Sequence, residues 1–158
     1  MKFYIKQKVF TLGEKFTVKN EFGEDVYYIE GSFFTFPKNF KIFNAFNEQV
    51  CDIDRQMFRL FGHYNIRTET QRITLKREFS FFRASYSILG IDWHLRGDFF
   101  DHNYQVLSGS SPVLTLSKHW FTWGDSYELN IPEHEDEVLA LAIAICIDEE
   151  ISRDQNSN

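Results

Sequence analysis

Apolar and polar residues alternate along most of the chain. Phe3, Ile5 and Val9 fall on one face at a period of two, and the same period returns at 72–79. This spacing is typical of strands that bury one face. Turn sequences rich in Gly, Asn and Asp separate the segments, so they predict a series of hairpins with roughly ten to twelve strands. The segment Met57 to Phe61 predicts a shorter and less regular strand than the others.

The run from Val138 to Ile147 departs from this alternation, because ten consecutive residues are apolar. Large and small side chains alternate within it, which is formally a strand pattern. Ala140, Ala142 and Ala144 favour a helix instead, since alanine is the best helix former and is depleted in strands. We therefore predict a helix from about His134 to Ile151, and a helix that is apolar all round must be buried all round.

Carboxylates crowd both ends of the predicted helix. Pro132 suits its first turn, where four acids complement the positive end of the helix dipole. These acids are Glu133, Glu135, Asp136 and Glu137. Asp148 to Glu150 lie where the dipole is already negative, so this end either lies free in water or meets basic groups. We expect one domain at 1–153 and a disordered tail at 154–158.

Composition agrees with a strand-rich protein, because Phe is the commonest residue with 18 copies. The two cysteines, Cys51 and Cys146, form neither a metal-binding pattern nor a disulfide framework, which favours a reducing compartment. The N-terminus lacks the apolar block of a signal peptide. The apolar run is also well short of the about 20 residues that span a bilayer. We expect a cytoplasmic protein, with peripheral membrane contact as a further expectation.

The net charge of −6 is unevenly distributed, since basic residues concentrate between Arg55 and Arg83. Within this region Arg72, Lys76 and Arg77 lie on one predicted strand. Several convergent cations can hold a phosphate group, so these three residues are the candidate site for an anionic head group. The alternative is that they are solvated strand residues that protect a sheet edge. We expect no nucleic-acid partner.

Two motifs resemble those of one known family. The segment Ser117 to Leu129, SKHWFTWGDSYEL, is followed by acids and an apolar segment ending at Ile147-Asp148, and it resembles the signature of the LURP-one-related family of tubby C-terminal-like domains. Trp93 to Phe100, WHLRGDFF, is similar to that family's glycine-containing strand and turn. The opening Phe3 to Gly31 fits its first hairpins, so the likeness covers nearly the whole chain.

The resemblance implies a closed antiparallel β-barrel of about twelve strands that encloses a central hydrophobic C-terminal α-helix. Tubby domains and phospholipid scramblases share this arrangement. Relatives bind phosphoinositides or phospholipids, which implies an anionic phospholipid as partner, and a protein is the other partner we consider. We expect the aromatic residues of the motif to close the barrel beside the helix rather than to form an exposed patch. They are Trp120, Phe121, Trp123 and Tyr127.

Histidines next to carboxylates are the only candidates for metal or acid–base chemistry in the sequence. Asp92 could act with His94, and Asp98 and Asp101 could act with His102. Neither group supplies a complete set of metal ligands, so we expect structural or surface roles for these residues.

Other catalytic patterns are incomplete. Ser108-Gly109-Ser110 lacks the flanking glycines of a nucleophile elbow, and Asp148 to Glu150 is too short for a calcium loop. We predict a non-enzymatic binding or scaffold module without a cofactor or metal. An enzyme or a lipid carrier of unknown substrate is the alternative, although a helix that fills the lumen would exclude a carried lipid.

Overall fold

Twelve strands and one helix form the part of the chain that the computed structural model describes, which is residues 1–6, 15–31, 39–80, 84–121 and 124–157. The strands, numbered in chain order, are β1 (Lys2–Lys6), β2 (Lys15–Asn20), β3 (Asp25–Gly31), β4 (Asn39–Asn44), β5 (Gln49–Arg55), β6 (His63–Thr68), β7 (Arg72–Glu78), β8 (Ser85–Leu89), β9 (Trp93–Asp98), β10 (Asn103–Ser108), β11 (Ser111–Phe121) and β12 (Gly124–Asn130). The helix α1 spans Glu137–Ser157.

The strands form one antiparallel sheet that curls into a nearly closed barrel. Consecutive strands pair from β1 to β8 and from β9 to β12, and β1 also pairs with β12. The two edges are β8 and β9, which have no ladder between them within the described residues. The predicted fold of about twelve antiparallel strands is confirmed, with closure incomplete at this one seam.

Strand alternation explains the barrel, because one face of each strand turns inward. Ile53 of β5 lies opposite Ile66 of β6, and neither side chain is exposed to solvent. The same inward face carries fully buried aliphatic residues around the sheet. Examples are Ile29, Ile42, Leu75, Val106, Leu114 and Leu129. These side chains form a continuous apolar lining.

The helix α1 fills the lumen that this lining surrounds. Each residue of 139–147 is at most 3% exposed, so the helix is buried on all sides as its composition predicts. An internal lipid would have to displace α1 from the core. Among the described residues, no helix is long and apolar enough to cross a membrane.

The structure corrects the predicted end of the helix. We expected the helix to run from about His134 to Ile151, whereas α1 spans Glu137–Ser157. Arg77 on β7 donates a hydrogen bond of 2.6 Å to Asp154, which holds the last turns against the barrel. Val9 of the first predicted strand lies outside the described residues.

Replacing Ile143 by Asp should abolish cooperative folding, because the position is fully buried and a carboxylate there would have no partner. Truncation before Val138 should have the same effect, because it empties the lumen. Thermal melts followed by circular dichroism measure both outcomes. Leu89→Asp, at a side chain that is 57% exposed, is the control and should leave the melt cooperative. A truncated chain that still melts cooperatively would show that the helix is peripheral.

Candidate functional site

The three basic residues predicted as an anion site do not converge. Alternation along β7 places Arg72 and Lys76 on the outer face and turns Arg77 inward, on the same side as Leu75. Lys76 Nζ lies 3.4 Å from a carboxylate oxygen of Glu78. Arg72 and Lys76 are therefore available on the outer face of β7, whereas Arg77 points into the barrel.

Three successive carboxylates of α1 are buried inside the barrel, where they require cationic or hydrogen-bonding partners. Asp148, Glu149 and Glu150 are 7%, 1% and 3% exposed. A buried carboxylate without a partner is strongly destabilising. Of the two arrangements that the sequence left open for this helix end, contact with basic groups is the one observed. Arg153, one helical turn further on, donates to Glu149 at 2.9 Å.

Glu150 is held by residues from the ends of three strands and from one loop. Arg55 Nε donates to Glu150 Oε1 at 3.0 Å, and the Tyr64 hydroxyl donates to the same oxygen at 2.7 Å. Arg77 Nη1 lies 3.7 Å from the other carboxylate oxygen. Gly62 lies against this group, where an added Cβ would be 2.3 Å from the carboxyl carbon of Glu150. A side chain at this position would therefore force the Glu150 carboxylate to move away from its partners.

Asp148 pairs with a histidine from the turn before β10. His102 Nε2 lies 3.0 Å from Asp148 Oδ1, and its ring stacks on Tyr127 with centroids 4.5 Å apart. Burial raises the pKa of Asp148, although the hydrogen bond to His102 opposes this shift. The structure thus corrects the expected grouping of His102 with Asp98 and Asp101. Asp98 instead accepts the backbone N–H of Asp101 at 3.1 Å.

Both cysteines are buried and neither forms a disulfide. Burial raises the pKa of the Cys51 thiol to about 12 and holds the pKa of Cys146 well above its ordinary value, which favours the protonated thiol at both positions. Asp92 and His94 are 3.4 Å apart on the exposed surface. In the part of the chain that the structure describes, no three His, Cys, Asp or Glu side chains are grouped to hold a metal ion.

The loop between β5 and β6 exposes apolar side chains at the end of the barrel where these carboxylates lie. Phe58 is 94% exposed and Leu60 is 90% exposed, with Arg59 between them. Phe58 has a φ of 57°, in the left-handed region that aromatic residues rarely adopt. The predicted short strand at Met57 to Phe61 is therefore wrong. Its bulky residues lack a buried face, and the chain turns at Phe58 instead of extending.

Other exposed aromatic residues lie at the same end. Phe79 follows β7 and is 61% exposed, and Phe100 follows β9 and is 44% exposed. In an antiparallel barrel, the connections after odd-numbered strands share one end, so these residues and the β5–β6 loop face the same direction. We call Phe58, Leu60, Phe79 and Phe100 the apolar rim. These four exposed apolar side chains make this end of the barrel a candidate interaction surface.

The alternation pattern did not predict the apolar rim, and the aromatic group expected to close the barrel lies elsewhere. Tyr127 of that group is only 3% exposed and packs on His102. The side chains of Trp120 and Phe121, and all of Trp123, lie outside the described residues. The sequence did contain one signal for the rim, in the segment Met57 to Gly62. Four bulky apolar residues and one arginine precede a glycine there, and apolar and polar residues do not alternate as they do in a strand.

Glu150→Gln should lower the free energy of unfolding by about 3 kcal/mol, because it leaves Arg55 and Arg77 largely buried beside a neutral group. Urea denaturation measures the change. Glu69→Gln removes an exposed carboxylate and should change the free energy by less than about 0.5 kcal/mol. Equal losses in the two variants would contradict the role of Glu150.

Stability should fall steeply in alkali. Burial raises the pKa of Tyr64, Tyr86 and Tyr104 above the ordinary value of 10.0. The unfolded chain releases these protons first, so their stabilisation is complete below about pH 10 and is lost as the pH rises toward the raised values. Melting temperatures and tyrosinate absorbance across this range test the sign. Ionisation of these phenols before the circular dichroism signal is lost would contradict the raised pKa values.

The chain matches the family model described as LURP-one-related over residues 1–148. It is 24% identical over 156 residues to the uncharacterized protein YxjI of Bacillus subtilis (strain 168), covering 98% of this chain and 96% of that protein. The fold is similar to an X-ray structure of a protein from Arabidopsis thaliana, with a TM-score of 0.63, 12% identity, and coverage of 93% of this chain and 89% of the other. As its motifs predicted, the chain belongs to the LURP-one-related family.

Proposed function

We propose that this protein is a non-enzymatic binding module that attaches to an anionic phospholipid membrane through the apolar rim. The exposure of Phe58 and Leu60 carries the proposal, since both side chains project almost completely into solvent. An interfacial binding site needs apolar groups that enter the lipid and polar or cationic groups that stay at the head groups. Arg59 supplies a cation between the two apolar side chains.

The loop that carries these residues is held at its base. The backbone N–H of Gln56 donates to the carbonyl of His63 at 2.7 Å, and that of Arg77 donates to the carbonyl of Gly62 at 2.8 Å. Arg59 Nε also donates to the Gln56 side chain at 3.1 Å. A loop that is already ordered loses less conformational entropy when it binds, which favours insertion without refolding.

Apolar insertion is the larger contribution to this binding. Burying a side chain such as Phe58 or Leu60 contributes about 1.5–3 kcal/mol. A basic residue near an anionic leaflet contributes only about 1 kcal/mol. Of the predicted head-group residues, Lys76 is close to the rim, whereas Arg72 begins β7 roughly 13 Å away and Arg77 is paired inside. Arg59 and Lys76 are therefore our choice for head-group contact.

The charge distribution favours one orientation on a membrane. The opposite end of the barrel contains the turns after even-numbered strands and the segment leading into α1, and it is rich in acids. They are Glu21, Glu24, Asp25, Glu48, Glu69, Asp92, Glu133, Glu135, Asp136 and Glu137. The rim end also carries Glu78, Asp98 and Asp101, but these are fewer than the ten acids of the opposite end. An anionic leaflet repels the opposite end more strongly, so the rim would face the membrane.

Flotation with vesicles that contain phosphatidylserine tests the proposal. The wild-type protein should float with the vesicles, and Phe58→Ser combined with Leu60→Ser should reduce the bound fraction at least about tenfold, because both inserted side chains are lost. The matched control is Phe22→Ser combined with Phe46→Ser, which removes two aromatic side chains that are 79% and 85% exposed at the acidic end. This control should bind like the wild type.

Vesicle composition separates the contributions of charge and insertion. Vesicles of neutral phosphatidylcholine should bind several-fold less protein, since the contribution of Arg59 and Lys76 is then missing. Absence of binding to both vesicle types, or equal loss in the two double variants, would contradict the proposal.

A further inference from the structure

Two turns at the acidic end of the barrel have the same construction. In the turn between β2 and β3, Asn20 Oδ1 accepts the backbone N–H groups of Phe22 and Glu24, both at 3.0 Å. The Asn20 side-chain amide donates in turn to the Glu24 carboxylate at 2.8 Å. One side chain therefore satisfies the backbone of the whole turn and fixes its shape.

The turn between β4 and β5 repeats this pattern residue by residue. Asn44 Oδ1 accepts the backbone N–H groups of Phe46 and Glu48 at 3.0 Å, and its amide donates to Glu48 at 2.8 Å. The next-to-last position of each turn has a positive φ, 81° at Gly23 and 62° at Asn47. Both turns thus place a phenylalanine at the same point of a rigid loop.

Neither phenylalanine contributes to the core. Phe22 is 79% exposed and Phe46 is 85% exposed. The asparagine side chains bond to the backbone N–H groups of Phe22 and Phe46 and not to their rings. The turn geometry therefore does not require an aromatic residue at either position. Two large apolar side chains held in solvent on rigid supports are preorganised for contact with a partner.

A groove of about 340 Å³ lies between the two turns. Apolar side chains line it, including Phe3 of β1, Val26 of β3 and Ala45 of the turn between β4 and β5. Phe22 and Phe46 form part of the same lining, at its exposed side. A groove of this volume can accept one or two apolar side chains of a ligand.

The surroundings of the groove are acidic. Glu21 and Glu137 are among the groove residues, and Glu24 and Glu48 lie in the turns on either side. Two cations also line the groove: Lys2 contacts Glu128 at 3.1 Å, and the Met1 ammonium donates to the Ile131 carbonyl at 2.8 Å. Nearby, Lys19 contacts Asp25 at 2.5 Å. Because both lysines are paired with carboxylates, Glu21, Glu24, Glu48 and Glu137 leave the surroundings acidic. A ligand for this groove therefore needs positive charge beside its apolar group.

We propose that the groove binds a short basic segment of another protein, with an apolar side chain inserted between Phe22 and Phe46. Lysine or arginine residues on either side of that anchor would contact Glu21, Glu24 and Glu48. This site lies opposite the apolar rim, so it is independent of membrane attachment. A module with both sites would hold a basic partner protein at a membrane surface.

An array of short synthetic peptides tests the proposal directly. Each peptide carries a central pair of apolar residues, varied across the array, between flanking lysines. Fluorescence anisotropy in solution then measures the dissociation constants of the strongest binders. Basic peptides with Phe or Leu at the centre should bind, while peptides with serine at the centre or glutamate at the flanks should bind at least about tenfold more weakly.

Variants of the protein locate the binding site. Phe22→Ser combined with Phe46→Ser should weaken the best peptide at least about tenfold. Leu89→Ser removes a side chain that is 57% exposed at the same end and should change the affinity by less than about twofold. Glu21→Gln should weaken the binding and lessen its dependence on salt.

Three results would overturn the proposal. They are absence of binding across the whole array, equal binding of acidic and basic peptides, and unchanged affinity in the Phe22 and Phe46 double variant.

Sedimentation of the protein alone tests whether a second copy of the chain occupies the groove instead. A dimer that dissociates in the same double variant would assign the groove to a second copy of this chain and contradict the peptide proposal. The rim variant, Phe58→Ser with Leu60→Ser, should keep peptide affinity, so failure of membrane binding and failure of peptide binding are distinguishable.

Discussion

The enclosure of α1 is the constraint on which the rest of the structure depends. A helix without a polar face from Val138 to Ile147 is stable only when apolar side chains surround it completely. A single sheet can do this only by curling round until its edges nearly meet, which is what the strands from β1 to β12 do. The enclosure also draws the next residues, Asp148 to Glu150, into the interior. The fold must therefore supply positive charge to a place that water does not reach.

That requirement determines which residues remain available at the surface. Arg55 and Arg77 come from strand ends that surround the C-terminal half of α1, and His102 comes from the turn before β10. Because Arg77 compensates Glu150 and Asp154, it is no longer a free cation for an external anion. The helix fills the interior, and Arg55, Tyr64 and His102 pair with its buried carboxylates. Both proposed binding surfaces accordingly lie at the ends of the barrel, where rigid turns project apolar side chains beyond the sheet.

The sequence was sufficient to predict the architecture because hydrophobic pattern and composition both reflect burial. Alternation along 72–79 placed Arg72 and Lys76 together on one face, and the same period puts Arg77 on the other face. The alanines of the run at 138–147 distinguished the helix from a strand. Pairings such as His102 with Asp148, which are 46 residues apart, depend on how the barrel closes and have no local signal. The loop at Met57 to Phe61 was mistaken for a strand because short apolar runs have the same composition in both.

Native-state hydrogen exchange of the backbone amides in 139–147 tests the central claim most directly. If the barrel encloses α1, these amides can exchange only when the whole domain unfolds, so their free energy of exchange should equal the global free energy of unfolding. The inward-facing strands β5 and β6 should give the same value. Helix amides that exchange through a much smaller opening free energy than those of β5 and β6 would contradict the account, since the helix would then leave the barrel while the sheet stayed folded.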